Sequence, residues 1–293
     1  MLRQSSKTHY AIRIGSCIYC SSSNGLSDEH VLAYSLGGTL ILEDASCEQC
    51  SDITKKFEQI CARHMFGSFR AINRLPTRRK HERPKGLDLL VEGPTGRQTI
   101  QVPVADHPGV PARLPLLQPP GMRTGAAKQL PQTDTIPCLS ITQIDRAKAE
   151  KIANSTGADT LSSKNHKVDL PSFMRMLAKV AHGLAYATFH PSGFVPLLPD
   201  YILGKDPHLP FVVGGATQPT PLGTMLTIGY QGPDGRSGHQ IGCGPATNAH
   251  NGRTVLLSHV QLFSFLPHAP VYEIFVATVS DRTKLMRVHS RGA

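Results

Sequence analysis

The sequence predicts an α+β protein made of a small N-terminal module followed by a larger, mixed α+β domain with β-hairpins. Two Cys-x-x-Cys pairs in the first 50 residues enclose a short strand-like segment and a Gly-Gly turn. A later stretch, residues 173–188, has apolar residues at the spacing of one buried helical face. Residues 255–266 and 271–279 are rich in β-forming residues and are separated by a Pro-containing turn, which predicts a hairpin.

The cysteine pairs predict a metal site. Cys17-x-x-Cys20 and Cys47-x-x-Cys50 are separated by 26 residues. Two thiolates at this spacing on a tight turn can reach one ion, and two such turns complete a tetrahedral shell. Because a closed shell leaves no position for a substrate, we expect a structural Zn²⁺ held by these four cysteines. The alternatives are a chance coincidence of two pairs and a redox dithiol.

The segment between the pairs contains candidate catalytic residues. Glu29 stands directly before His30, and a short strand-like stretch and the turn Gly37-Gly38 follow. Neighbouring strand residues point to opposite faces, so the two side chains converge only if the strand ends or bends there. His30 is then the candidate general base on a water, and Glu29 the candidate ligand of a divalent cation. A lone exposed histidine is the alternative interpretation.

Residues 17 to 58 resemble the HNH endonucleases with a zinc-stapled ββα-metal motif. The resemblance rests on Cys-x-x-Cys, Asp-Glu-His, Leu-Gly-Gly and Ala-Ser-Cys-x-x-Cys, followed by Thr-Lys-Lys-Phe-Glu. It implies a ββα-metal (HNH) module in which His30 activates the attacking water. It also implies that Glu29 helps to bind one catalytic Mg²⁺ or Mn²⁺.

The chain departs from the family pattern in two places. The family has His or Asn as a second metal ligand directly after the last cysteine, where this chain has Ser51. The central Asn expected shortly before Cys47 is also absent. Ser51 and Asp52 are the candidate cofactor-binding residues. Asp52, or else His64 on a helix expected over residues 53–65, would replace the missing ligand.

A dense basic run follows the module. Between Arg63 and Lys85 there are eight Lys or Arg residues and one acid, Glu82. Cationic side chains of this kind contact nucleic-acid phosphates without reading sequence. The candidate nucleic-acid-binding residues, with double-stranded DNA as the expected partner, are Arg74, Arg78, Arg79 and Lys80. A solvated charged surface is the alternative.

The composition changes after the basic run, which predicts two domains: residues 1–85, an HNH-like zinc-stabilised nuclease domain with a basic tail, and residues 86–293, an α+β domain of unknown role. Eight of the 23 prolines fall within residues 103–137, so we expect a long loop there. In the second domain, Ser172 is the expected N-cap of a helix. A further hairpin is expected from Leu226 to Tyr230, with its turn at Gly232-Pro233-Asp234-Gly235.

The formal net charge of +10 and the pI near 9.4 favour polyanionic partners. No apolar run reaches the length of a signal peptide or a membrane span, so a cytoplasmic protein is expected. The leading hypothesis is a metal-dependent endonuclease that hydrolyses DNA phosphodiester bonds. The alternative is a catalytically degenerate, zinc-stabilised nucleic-acid-binding protein, and a third hypothesis is a zinc-nucleated protein-interaction domain.

Overall fold

The structure is a computed structural model that describes residues 11–132, 136–163, 167–217, 226–231 and 237–285. It is a mixed α+β fold, as the sequence predicts. The strands are β1 (Ala11–Arg13), β2 (Leu26–His30), β3 (Ile41–Cys47), β4 (Gly86–Gly93), β5 (Gly96–Pro103), β6 (Ala112–Pro115), β7 (Cys138–Ile141), β8 (Thr160–Ser163), β9 (Phe194–Pro196), β10 (Val213–Gly215), β11 (Leu226–Gln231), β12 (Ser237–Thr247), β13 (Thr254–Leu262) and β14 (Val271–Val279). The helices are α1 (Glu48–Gln59), α2 (Gly67–Ile72), α3 (Gly121–Thr124), α4 (Arg146–Thr156), α5 (Leu170–Thr188) and α6 (Pro199–Leu203).

The N-terminal part, residues 11–59, forms what we call the hairpin–helix module. Strands β2 and β3 pair antiparallel, β1 adds to β3 in parallel, and α1 follows β3 directly. The register shifts between Ser27 and Glu29, so β2 is irregular just before the Glu-His pair and ends at His30. The helix expected over residues 53–65 differs in its bounds. Helix α1 begins at Glu48 and continues after Gln59 as a π-helical segment, Ile60–Met65.

The Gly-Gly turn is required by the path of the chain between β2 and β3. Gly37 has φ +95° and lies in the left-handed region that favours glycine. A Cβ on Gly38 would lie 1.8 Å from the carbonyl oxygen of Leu32, so any side chain there would clash with the backbone. The two glycines therefore allow the connection to fold tightly against the strand end.

Helix α5 is the central buried helix. Its predicted apolar face is confirmed, with Phe173, Leu177, Val180 and Leu184 all buried. The expected N-cap is one turn too late: the helix begins at Leu170, and the Asp169 side chain accepts a hydrogen bond from the Ser172 amide at 2.9 Å. Asp169, three residues before Ser172, is therefore the N-cap of this helix, the role that was expected of Ser172.

A six-stranded sheet packs against α5. Its order is β10-β14-β13-β12-β11, and β9 pairs with the other end of β14. The hairpin predicted over residues 255–279 is confirmed as the antiparallel pair β13–β14. Strands β11 and β12 also pair antiparallel, as expected, whereas the turn predicted at 232–235 lies outside the described residues.

Buried residues on both sides of residue 85, where the sequence predicts a domain boundary, belong to one cluster. One continuous buried cluster takes in the hairpin–helix module, α5 and the six-stranded sheet. Two buried histidines join the module to the rest: Nε2 of His182 donates to the carbonyl of Ile18 at 2.8 Å, and Nε2 of His239 donates to the carbonyl of Leu36 at 2.8 Å. The module is too small to bury its own apolar surface, so it shares the larger core.

A small separate cluster lies beyond the basic run. Strands β5, β4 and β8 form a three-stranded sheet next to α4, and Leu89, Val91 and Val102 form its buried centre. The described part of the Pro-rich stretch, residues 103–132 and 136–137, is mostly irregular, as predicted, although it contains β6 and the short helix α3. In the described part of the chain, none of the helices combines the length and apolar character needed to span a membrane.

Candidate functional site

The four predicted zinc ligands come together. The sulfur atoms of Cys17, Cys20, Cys47 and Cys50 all lie within 4.8 Å of one another. The first pair lies on a turn in which the Ser21 amide donates to the Cys17 carbonyl at 2.8 Å. The second pair spans the start of α1, where Cys47 is the N-cap and Cys50 lies in the first turn. This four-sulfur set fits a tetrahedral structural Zn²⁺, which would hold the hairpin to the helix.

Two of the thiols in this cluster depend on a cation for their charge, whereas hydrogen bonds from Cys50, Cys20 and Cys17 outweigh burial and lower the pKa of Cys47. Burial raises the pKa of Cys17 and of Cys50. A bound Zn²⁺ would replace the protons on these sulfurs, and metal binding would then be coupled to folding of the module.

A second polar centre lies beside the cluster, and we call it the lysine centre: Glu29, Glu58, Lys179 and the His30 carbonyl. The Lys179 ammonium lies 2.7 Å from Oε1 of Glu29 and 2.6 Å from Oε1 of Glu58. It also donates a hydrogen bond to the His30 carbonyl oxygen. An ammonium has three N–H donors, and these three oxygens provide one acceptor for each.

The lysine centre is largely closed to water. The side chain of Lys179 is 1% exposed, that of Glu29 8% and that of Glu58 16%. Burial alone would lower the pKa of Lys179, but attraction by the two carboxylates outweighs burial and raises it. Lys179 is therefore a permanent cation at neutral pH. Burial, with a contribution from the charge of Glu29, raises the pKa of Glu58.

The two candidate catalytic residues do not share a surface. The Glu29 carboxylate is turned inward to Lys179, whereas the His30 ring is partly exposed and lies edge-on to the Tyr34 ring, with the centroids 6.0 Å apart. Alternation along β2 explains this, because successive side chains leave a strand on opposite faces.

The expected second ligands of a catalytic Mg²⁺ or Mn²⁺ are not assembled around Glu29. Ser51 is buried in α1, whereas Asp52 is exposed and pairs with Lys55 at 3.5 Å. His64 is exposed on the π-helical segment. Within the described ranges, the four cysteines are the one group of three or more metal-ligating side chains with its ligand atoms in range of one ion. The residues present therefore fit a structural zinc and do not fit a catalytic divalent ion.

The basic run separates into structural and exposed cations. Arg70 donates to the carbonyls of Ser35, Ala62 and Pro76, and Arg83 donates to the carbonyl of Leu75. Both side chains thus fix the local chain path. The four predicted nucleic-acid-binding residues are exposed: Arg74, Arg78, Arg79 and Lys80.

One of these exposed cations, Arg78, lies close to the end of β2. The guanidinium of Arg78 is 5.8 Å from the centroid of the Tyr34 ring, and Tyr34 in turn contacts His30. Arg79 forms a surface ion pair with Glu82 at 2.9 Å. We use the name basic surface for the four exposed cations together with the half-buried His30 and Tyr34.

Glu58 and Lys179 are not among the site residues that the sequence predicts. Glu58 is the last residue of the stretch on which the resemblance rests, and it lies two helical turns after Ser51 in α1. Lys179 stands between Ala178 and Val180 in an otherwise apolar face of α5. A lysine on a buried helical face needs an acidic or carbonyl partner in the interior. The charged residue within this apolar face was therefore the sequence signal for a buried polar centre.

Comparison of the chain with family models, with curated proteins and with solved structures finds no match.

Proposed function

We propose that the protein is a zinc-stabilised nucleic-acid-binding protein, with the basic surface as its phosphate-binding face. The observation that carries this proposal is the contact of Arg78 with Tyr34, since it brings one of the four exposed cations next to the strand end that carries His30. The overall charge of +10 acts in the same direction by attracting a polyanion over long range.

The basic surface is suited to phosphates more than to base edges. Arg74, Arg78 and Arg79 lie on an irregular segment and Lys80 begins a single 3₁₀ turn, Lys80–Glu82, so none of them lies on a helix that could enter a groove. Such cations neutralise phosphates and release counterions, which gives affinity without sequence selectivity. We therefore expect binding to duplex DNA that depends strongly on salt and weakly on sequence.

The structural zinc supplies no open coordination position in this proposal. With four thiolates bound, Zn²⁺ would fix the hairpin to α1 and so keep His30 and Tyr34 in place. Removal of zinc is then expected to weaken DNA binding indirectly, through loss of the folded module.

A second candidate function is hydrolysis of DNA phosphodiester bonds with His30 as general base. The partial exposure of the His30 ring favours it, because a phosphate bound by Arg78 at the shared Tyr34 ring would lie near an imidazole. The pairing of Glu29 with Lys179 argues against the metal-dependent form of this reaction. Binding without metal-dependent cleavage is therefore the better supported function.

The binding proposal is tested by fluorescence anisotropy with labelled duplex DNA over a series of salt concentrations. The triple variant Arg78→Ala, Arg79→Ala, Lys80→Ala should bind more weakly and with a flatter log–log salt slope, by ~0.9 for each phosphate that is no longer neutralised. The matched control replaces Arg97, Arg146 and Lys151 by Ala, which removes the same charge from exposed positions on β5 and α4. Equal decreases in affinity in the two triple variants would show that only net charge matters and would contradict a defined binding face.

The catalytic alternative is tested on the same zinc-loaded protein with plasmid DNA, with and without Mg²⁺ or Mn²⁺. We expect binding without cleavage. Cleavage that falls by ~10²–10⁴ in His30→Ala, with DNA binding kept, would instead establish the endonuclease.

A further inference from the structure

The lysine centre has the composition of a cation-binding site. Oxygens from three separate backbone positions, in Glu29, His30 and Glu58, converge on one point. Carboxylate and carbonyl oxygens are the ligands that hard divalent cations prefer. In this chain, however, the point is occupied by the Nζ atom of Lys179.

A further buried group faces the same carboxylates. The Tyr19 hydroxyl is buried and has no hydrogen-bond partner among the described residues. It is near enough to Glu29 and Glu58 for both carboxylates to act on it through their charge. Tyr19 lies between Cys17 and Cys20, so the zinc turn brings an additional polar oxygen toward the lysine centre.

We propose that the Lys179 ammonium takes the place of a divalent cation in the lysine centre, and that neutral replacement of Lys179 opens a divalent-cation site there. The inference deepens the proposed function, since it accounts for a nucleic-acid-binding protein that works without a metal ion at Glu29. It concerns cation binding alone, and its test does not depend on DNA.

Electrostatic repulsion determines whether a divalent cation can bind in the lysine centre. Two carboxylates and one ammonium leave the centre with one excess negative charge, whereas an added divalent ion would lie within a few ångströms of a fixed positive charge. Like charges at such separation in a largely buried site repel strongly. The wild-type centre should therefore exclude Mg²⁺ and Mn²⁺ for as long as Lys179 remains charged.

Methionine is the suitable replacement. Its side chain follows the apolar path of the lysine stem but ends one atom short of the Nζ position, so the space between the carboxylates is left free. Glu29 and Glu58 would then lack a counter-charge, and a bound Mn²⁺ would supply it. The Lys179→Met variant should consequently gain a Mn²⁺ site that wild type lacks.

The experiment is a Mn²⁺ titration of zinc-loaded protein, with free Mn²⁺ measured by electron paramagnetic resonance. Wild type and Glu29→Gln should give the same weak, non-specific binding. Lys179→Met should bind about one equivalent of Mn²⁺, and Lys179→Met with Glu29→Gln should lose it. Four thiolates retain Zn²⁺ against the harder Mn²⁺, so the zinc content should stay constant.

Two results would overturn the inference. One is Mn²⁺ binding by wild type that disappears in Glu29→Gln, since the ammonium would then not exclude the metal. The other is folded Lys179→Met that binds no Mn²⁺. If that variant does not fold alone, refolding it with Mn²⁺ should give folded protein that retains one equivalent of Mn²⁺, whereas refolding at the same ionic strength without Mn²⁺ should not; absence of such a Mn²⁺-dependent gain of fold also contradicts the inference. DNA affinity of the Arg78, Arg79, Lys80 variant tests the proposed function separately and leaves the Mn²⁺ result unaffected.

Discussion

The lysine centre differs from a second cluster of buried charge, which we call the arginine centre: Arg123, His259 and Glu273. Glu273 lies on β14 with its side chain 4% exposed. Arg123 of α3 binds both of its carboxylate oxygens, with Nη2 to Oε2 at 2.6 Å, and Nε2 of His259 lies 3.3 Å from Oε2. In the arginine centre two bases surround one carboxylate, whereas in the lysine centre two carboxylates surround one cation.

The shape of each cation explains the difference. The planar guanidinium of Arg123 pairs with one carboxylate side by side, and at 28% exposure it remains in contact with water. The compact ammonium of Lys179 directs its donors to three oxygens from β2 and α1, as a bound metal ion would be coordinated. The arginine centre thus attaches α3 to the sheet, while the lysine centre is a closed cation site.

The largest expected effect is loss of the zinc cluster, which should dismantle the lysine centre and spare the arginine centre. In Cys47→Ser, a binding free energy on the order of 10 kcal/mol is removed from a module with little core of its own. We expect no retained zinc by elemental analysis. Amide hydrogen exchange should become fast in β2, β3 and α1 while β13 and β14 stay protected.

Cys138→Ser is the matched control, because Cys138 lies on β7 outside the cluster. It should keep both zinc and protection. Normal zinc content in Cys47→Ser would contradict the four-sulfur site.

The next largest effect is a difference in folding stability between variants of the two centres. Lys179→Met leaves two carboxylates buried without a counter-charge and should cost about 3–5 kcal/mol. Arg123→Met should cost clearly less, since Arg123 is partly exposed and His259 still contacts Glu273. Urea unfolding with an unchanged m-value provides the comparison.

Replacing Glu29 and Glu58 by Gln in the Lys179→Met background should recover most of the stability, because uncharged amides need no cation. Equal destabilisation in Lys179→Met and Arg123→Met, with no recovery in the triple variant, would mean that the two centres do not differ as described.

The smallest effect is a pH dependence of opposite sign in the two centres. The pKa of Glu58 is raised above its ordinary 4.5, so the stability it contributes is present below pH 4.5 and is lost as pH rises through the raised value. For Glu273, burial acts to raise the pKa, but the hydrogen bonds from His259 and Arg123 outweigh burial and lower it. Its contribution is present above pH 4.5 and is lost as pH falls through the lowered value.

The urea midpoints of wild type, Glu58→Gln and Glu273→Gln, measured as a function of pH on both sides of pH 4.5, would reveal the direction of each pH dependence. Glu58→Gln should flatten the decline on the higher-pH side, and Glu273→Gln should flatten the decline on the acid side, each by at most ~1.4 kcal/mol per pH unit. Profiles that both overlay wild type would show that neither carboxyl has the shift described.

The sequence predicts the zinc cluster and the main elements because both are local patterns. Cys-x-x-Cys places two sulfurs on one turn whatever the rest of the fold does, and the apolar spacing of α5 is read within one helix. The basic residues could also be identified, although Arg70 and Arg83 prove to be structural and not part of the exposed set.

The lysine centre could not be predicted because its partners are distant in the chain. Lys179 lies 121 residues after Glu58 and 149 residues after His30. Which acids a buried lysine meets depends on how α5 packs against the hairpin–helix module, and no spacing rule encodes that packing. For the same reason the sequence predicts Glu29 as a metal ligand, whereas the structure pairs it with Lys179.

The central claim is that the Lys179 ammonium occupies the lysine centre in place of a divalent cation. It is tested most directly by NMR of the side-chain ammonium group in zinc-loaded protein with isotope-labelled lysine. A lysine with all three N–H groups bonded and 1% exposure should give an ammonium signal protected from exchange with water. We expect such a signal in wild type, its absence in Lys179→Met, and no change on addition of excess Mg²⁺. A wild-type protein without a protected ammonium signal, or with one that Mg²⁺ displaces, would contradict the assignment.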